Sequence, residues 1–205
     1  MNIELTNLGK RYNREWIFRN LSFQFHIDKH YAITGPNGSG KSTLLQIIAG
    51  STIYNEGKIT YHQLNKTFEP EKIYRKISFA APYLDLVEEM TLNEFLNFHH
   101  KMKGWISLLD TKQIILLLAL EKSAHKQLRY FSSGMKQRVK LAQAIFSNVP
   151  AVLLDEPATN LDEEGIQLYK NLVKDYCKDR LVIISSNDKE EYSFCEEIID
   201  MMDYK

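Results

Sequence analysis

The run GPNGSGKST, Gly35 to Thr43, follows an apolar stretch (Tyr31 to Thr34) and opens a helical-looking one (Thr43 to Ala49). Strand, glycine-rich loop and helix in that order make a phosphate-binding device. Gly35, Gly38 and Gly40 let the backbone curl so that successive N–H groups point at one anion; Pro36, Asn37 and Ser39 complete the loop. Lys41 supplies a point charge for β/γ-phosphates, and Ser42 offers a hydroxyl to Mg²⁺. The helix that Thr43 enters adds the positive end of its dipole. A plain glycine-rich turn would need neither Lys41 nor Ser42. The run implies a nucleoside triphosphate site.

A chain of 205 residues is long enough for one domain with a substantial core. Lys+Arg and Asp+Glu both number 26, so no global field favours nucleic acid or an anionic membrane. The start, MNIELTNLGKR, lacks the apolar core of a signal peptide, and the longest aliphatic run, Ile114 to Leu120, is too short to cross a bilayer. Cys177 and Cys195 lack metal-ligand spacing and read as buried or idle thiols in a reducing cytoplasm.

Leu21, Phe23, Phe25 and Ile27 alternate with polar residues, as in a half-buried strand. With Ile3 and Leu5, and with Lys58 to His62, they suggest an antiparallel sheet on the N-terminal side. Ile77 to Ala80 is a short apolar strand. A helical block follows: Thr91 and Glu94 form a capping box, a second helix begins near Asp110, and a third runs from about Gly134 to Phe146. After Pro150 come a strand Ala151 to Leu154, a helix around Glu163 to Tyr176, a strand Leu181 to Ser185 and a closing helix. Val152–Leu154 and Val182–Ile184 are continuous aliphatic runs, as expected of parallel strands buried on both faces. Helices between two halves of one sheet suggest an inserted subdomain.

AVLLDEP, Ala151 to Pro157, delivers Asp155 and Glu156 to the carboxyl end of a strand, where α/β sheets place ligands. Asp155 would hold Mg²⁺ through water, and Glu156 would accept a proton from water attacking a γ-phosphate. Phe131 to Ile145, FSSGMKQRVKLAQAI, carries Ser132, Ser133 and Gly134 into a helix, which gathers hydroxyls and N–H groups at a helix N-terminus. Taken singly, an ordinary N-cap is the simpler explanation of that feature.

The order of these elements resembles the ATP-binding cassette (ABC) ATPases over essentially the whole chain. Gly35–Thr43 corresponds to Walker A, Phe131–Met135 to the signature, Ala151–Pro157 to the extended Walker B, and Ala158–Asp162 to the D-loop. The resemblance implies one α/β P-loop NTPase domain over 1–205, with a mostly parallel RecA-like sheet. An N-terminal antiparallel β-subdomain and a helical subdomain, inserted over roughly 84–146, would complete it. It implies ATP and Mg²⁺ as ligands and a head-to-tail dimer, with a second copy or a paralogous ATPase subunit. ATP on Gly35–Thr43 of one protomer would then be closed over by Ser132, Ser133 and Gly134 of the other. Tyr12 stands where the family sets an aromatic against adenine, and Asp162 would cross the dimer interface. The segment after Ala80, with Glu88 and Glu89, lies where such ATPases receive a membrane partner.

The chain departs from the family in three places. The signature, usually L-S-G-G-Q, has Ser133 where a phosphate approaches closely. The glutamine expected after Ile77–Ala80 is absent; Pro82 stands nearest, with neither a side-chain carbonyl nor an N–H. Asn187 occupies the place of a histidine; it keeps a donor for the γ-phosphate but cannot become cationic. The expected function is therefore that of an ATP-hydrolysing transporter subunit, slow in turnover, on the cytoplasmic face beside a separate integral membrane permease. No direct nucleic-acid partner is expected. Two alternatives are a soluble assembly module of iron–sulfur type and a non-hydrolytic ATP-dependent clamp.

Overall fold

The computed structural model describes residues 1–64, 66–106 and 109–205. It opens with strands β1 (Asn2–Tyr12) and β2 (Glu15–Phe25), then β3 (His30–Thr34) and helix α1 (Lys41–Ile48). Strands β4 (Glu56–Gln63), β5 (Lys66–Phe68) and β6 (Ile77–Ala80) lead to helices α2 (Leu92–Lys103), α3 (Thr111–Leu117) and α4 (Ser133–Ile145). The chain closes with β7 (Ala151–Asp155), α5 (Glu163–Tyr176), β8 (Leu181–Ser185), a short α6 (Lys189–Tyr192) and β9 (Glu197–Asp200).

Two sheets result. The antiparallel one has the order β2-β1-β4-β5 and the parallel one β6-β7-β8-β3-β9. Every residue of β7 and β8 is buried, which is why they read as unbroken aliphatic runs. Their alternating side chains divide the core. Val152, Leu154, Val182 and Ile184 pack with the helices on one face. Leu153, Leu181 and Ile183 pack on the other with α1 and the antiparallel sheet. The antiparallel N-terminal sheet and the parallel sheet agree with the sequence expectation.

Two expectations need correction. Ile27 lies beyond the end of β2 and is 37% exposed, because the alternation stops at Phe25 and a turn at Asp28 (φ 66) follows. The closing helix is only the four residues of α6; the chain then adds β9, parallel to β3, which fills the sheet edge. The isolated cysteines are structural: burial pushes the Cys177 thiol up to about 11 and that of Cys195 to about 12.

The helices α2 and α3 begin with capping boxes, Thr91–Glu94 and Asp110–Gln113. Glu88 pairs with Lys136 of α4, and Glu89 with Arg129 at 3.5 Å, so both glutamates tie their loop to the neighbouring signature segment. Among the described residues no helix is long and apolar enough to cross a membrane.

His99 of α2 sets a pH limit on stability. Its ring stacks on Trp105, with centroids 5.1 Å apart, and its Nε2 lies 2.7 Å from Ser147 Oγ. Ser147 donates its own proton to the Gln143 carbonyl, so Nε2 must carry the hydrogen in that contact. Burial, reinforced by Lys103, pushes His99 down from 6.5 to about 4. The unfolded chain therefore takes up a proton near pH 6.5 that the folded chain refuses until about 4. Stability should fall as pH drops through that window, by up to about 3 kcal/mol at about 1.4 kcal/mol per unit. Denaturant midpoints at pH 7 and pH 4.5 check this; His99→Gln should flatten the difference, and an unchanged slope would refute it.

Candidate functional site

The carboxyl ends of β3, β7 and β8 converge on the glycine-rich loop, as the parallel sheet requires. Gly40 caps α1 with φ 104, and a Cβ there would meet Ile17 Cγ2 at 2.6 Å. Only glycine fits that turn. Lys41 is 5% exposed; its Nζ donates to the carbonyls of Gly35 (2.7 Å) and Pro36 (3.4 Å).

Gly38, Gly40, Lys41, Ser42 and Thr43 line a cleft of about 370 Å³ with Asn37, Glu156 and Ile17. Asn37 and Glu156 also border a second hollow of about 380 Å³, which Ser186, Asn187 and Glu191 complete. The phosphate loop, Glu156 and Asn187 are thus neighbours along one trough. Asn187 touches the loop directly. Its Oδ1 accepts from the Gly35 N–H at 3.2 Å, and its Nδ2 donates to Asn37 Oδ1 at 3.3 Å.

Strand β7 ends at buried Asp155, and the backbone then turns sharply. Glu156 has φ 43, a left-handed conformation that costs a non-glycine residue about 1–3 kcal/mol, and its N–H is held by the Ser185 carbonyl at 2.8 Å. That turn sends Glu156 to the trough while its neighbour stays buried. Asp155 Oδ2 accepts from the Tyr83 hydroxyl at 3.0 Å, whereas Oδ1 is buried without a partner. Ser39 Oγ is likewise buried and unpartnered. An orphaned carboxylate oxygen, like the Ser42 hydroxyl that lines the cleft, suits a hard, oxygen-seeking cation such as Mg²⁺. Among the described residues no cluster of three or more His, Cys, Asp or Glu could hold a metal, so any cation here relies on these few oxygens and on substrate phosphates.

The signature residues lie elsewhere. Ser132, Ser133 and Gly134 line a separate cleft of about 440 Å³ with Arg138, Asn160 and Asp162. Ser132 caps α4, its hydroxyl accepting from the Met135 N–H at 3.2 Å. Asp162 caps α5 through the Gly165 N–H at 2.9 Å and lies 3.5 Å from Arg138. Gly134 packs so closely on the D-loop that a Cβ would sit 2.9 Å from the Asn160 carbonyl.

A segment spanning residues 18–159 matches the family model described as ABC transporter. The chain belongs to the ABC transporter family. It is an ABC nucleotide-binding domain, an ATP-binding ATPase of that class. It is 32% identical to the ABC transporter ATP-binding protein YybJ of Bacillus subtilis, over 97% of this chain and 92% of that one. It is also 35% identical to the cytochrome c biogenesis ATP-binding export protein CcmA of Xylella fastidiosa, over 73% of this chain and 67% of that one. Among solved structures it resembles a dimeric bacterial ABC transporter cassette, MJ0796, with TM-score 0.79 and 26% identity over 97% and 93% of the two chains.

Within this ABC cassette, sequence reasoning missed several residues at the site. Ile17 gives the cleft its apolar wall, while Tyr12 is not among the lining residues: its ring is half exposed, with Lys10 Nζ 4.5 Å from its centroid. Gln137 of α4 donates to the Pro157 carbonyl at 2.8 Å, and Glu191 accepts from the Ala158 N–H at 2.7 Å. Burial raises the Glu191 carboxyl above its ordinary range. Gln137 lies within the run Phe131 to Ile145 but was given no role there, and Glu191 belongs to no short motif.

Proposed function

We propose that this chain is the ATP-hydrolysing subunit of a transporter whose permease is a separate membrane polypeptide, and that it acts as a head-to-tail dimer. One observation carries the reading. The chain has two features suited to phosphate, the glycine loop and the α4 tip, and they line separate clefts. A second copy, or a paralogous subunit, would bring a signature tip over the loop and complete one site from two chains. The dimeric structure of a similar cassette, MJ0796, supports assembly as a dimer.

In the composite site Lys41 and the loop N–H groups hold the β/γ-phosphates, with Tyr12 near the adenine. Ser42 and Asp155 would hold Mg²⁺, which when bound neutralises phosphate charge. Ser132, Ser133 and Gly134 of the second copy would present donors to the γ-phosphate. Glu156 accepts a proton from the attacking water as its oxygen bonds to the γ-phosphorus; the bond from that phosphorus to the β–γ bridging oxygen breaks, and ADP leaves. Asn187 donates a neutral hydrogen bond where a cation would stabilise the developing charge better. Turnover is consequently slow. Asn187→His should raise phosphate release by about tenfold, a fraction of what one strong donor contributes at an oxyanion; unchanged turnover would show that the side chain does not act on the phosphate.

Residues 84–146 would work as a subdomain that docks the permease on the cytoplasmic face of the membrane. Exposed Val87, Phe98 and Met102 lie in this segment and offer apolar surface to such a partner. Affinity purification of the intact chain from detergent-solubilised membranes tests this: an integral membrane protein should accompany it. Recovery only in a wholly soluble complex would sink the transporter reading.

A further inference from the structure

We propose that Tyr83 is the positioning residue that aims the Asp155 carboxylate at Mg²⁺, taking on a task for which Pro82 has no suitable group. The inference rests on the reading of Asp155 as the metal-bearing carboxylate.

Tyr83 lies three residues beyond β6, and its phenol oxygen has two partners. Gln46 Nε2, on α1, approaches at 3.0 Å, and Asp155 Oδ2, at the end of β7, lies 3.0 Å away. The proton directions follow from chemistry. A carboxylate can only accept, which commits the phenol hydrogen to Asp155 and turns the Gln46 nitrogen toward Tyr83; Gln46 Oε1 then accepts from Thr52 Oγ1 at 3.1 Å. That nitrogen can only donate, so the phenol oxygen accepts there while its single hydrogen goes to Asp155. A charge-assisted bond of this kind is among the stronger ones in a protein. It leaves Oδ1, the buried oxygen without a partner, as the one presented to a cation.

The segment carrying Tyr83 is itself anchored. Lys140 of α4 donates to the Pro82 carbonyl, and the Leu84 N–H closes a turn onto the Ala81 carbonyl at 3.2 Å. Tyr83 remains 50% exposed, yet its hydroxyl is engaged on both sides. A tyrosine present only for packing would need neither partner.

The test measures metal binding directly. Mn²⁺, which is visible to electron paramagnetic resonance, is titrated into the full chain holding a non-hydrolysable ATP analogue. Tyr83→Phe keeps the ring and removes the proton; it should weaken Mn²⁺ binding by about tenfold, the usual loss when a group orienting a metal ligand is removed. Nucleotide affinity without metal should not change. In turnover assays the half-saturating Mg²⁺ concentration should rise by a similar factor, with a smaller change in the rate at saturating Mg²⁺. Gln46→Leu, which frees the phenol on one side, should shift Mn²⁺ binding in the same direction by less. Wild-type Mn²⁺ affinity in Tyr83→Phe overturns the proposal. Asp155→Ala serves as the control: if it too leaves Mn²⁺ binding unchanged, the assignment of Asp155 falls instead.

Discussion

Glu156→Gln should leave ATP bound and stop its hydrolysis. The amide matches the carboxylate in shape but cannot take the proton of the attacking water, and a lost general base typically costs about 10²–10⁴-fold in rate. Glu156 borders both hollows of the trough, so the substitution changes chemistry without closing the cleft. Its left-handed backbone tolerates glutamine as well as glutamate. ATP should then accumulate in stable dimers, visible as a shift in size-exclusion elution that persists with Mg²⁺ present. Phosphate release within threefold of wild type would show that another group receives the proton.

Gly134→Ala should have a comparable effect through geometry alone. The new methyl would stand 2.9 Å from the Asn160 carbonyl, closer than real contacts allow, and a backbone atom cannot swing aside as a flexible side chain would. The α4 tip must therefore move relative to the D-loop. A shift of about 1 Å at a positioning element costs on the order of a hundredfold in rate. The glycine loop lies in a different cleft, so ATP affinity of the isolated protomer should be preserved. Equilibrium dialysis with ATP, beside turnover and sedimentation, separates the outcomes. Loss of nucleotide affinity together with turnover would mean that Gly134 acts within its own protomer's site.

Both residues were visible in the sequence because each sits in a short motif whose chemistry is local. Glycines, lysine and serine must be adjacent to wrap one anion, and an aliphatic strand must precede an acid that it delivers. The doubly buried strands β7 and β8 were legible for the same reason, as were the capping box at Thr91 and the helix start near Asp110. Tyr83 was not: its acceptor lies 72 positions away, and only the register of β6 against β7 brings them together. Strand β9 was missed because two of its four residues are exposed at a sheet edge, which leaves no aliphatic run to read. Tyr12 shows the converse limit. Its place in the chain was plain, but the orientation of its ring depends on Lys10 and on the tip of a hairpin.

The ammonium of Lys41 holding the carbonyls of Gly35 and Pro36 has a thermodynamic corollary. The cradle braces itself from within, so the entropy of shaping it is surrendered once, while the polypeptide folds. An arriving polyphosphate exchanges partners with a rigid receptor instead of straightening a slack one. In the proposed dimer the free energy of that exchange would stay available for drawing two subunits together, so that occupancy and assembly would rise and fall as one event.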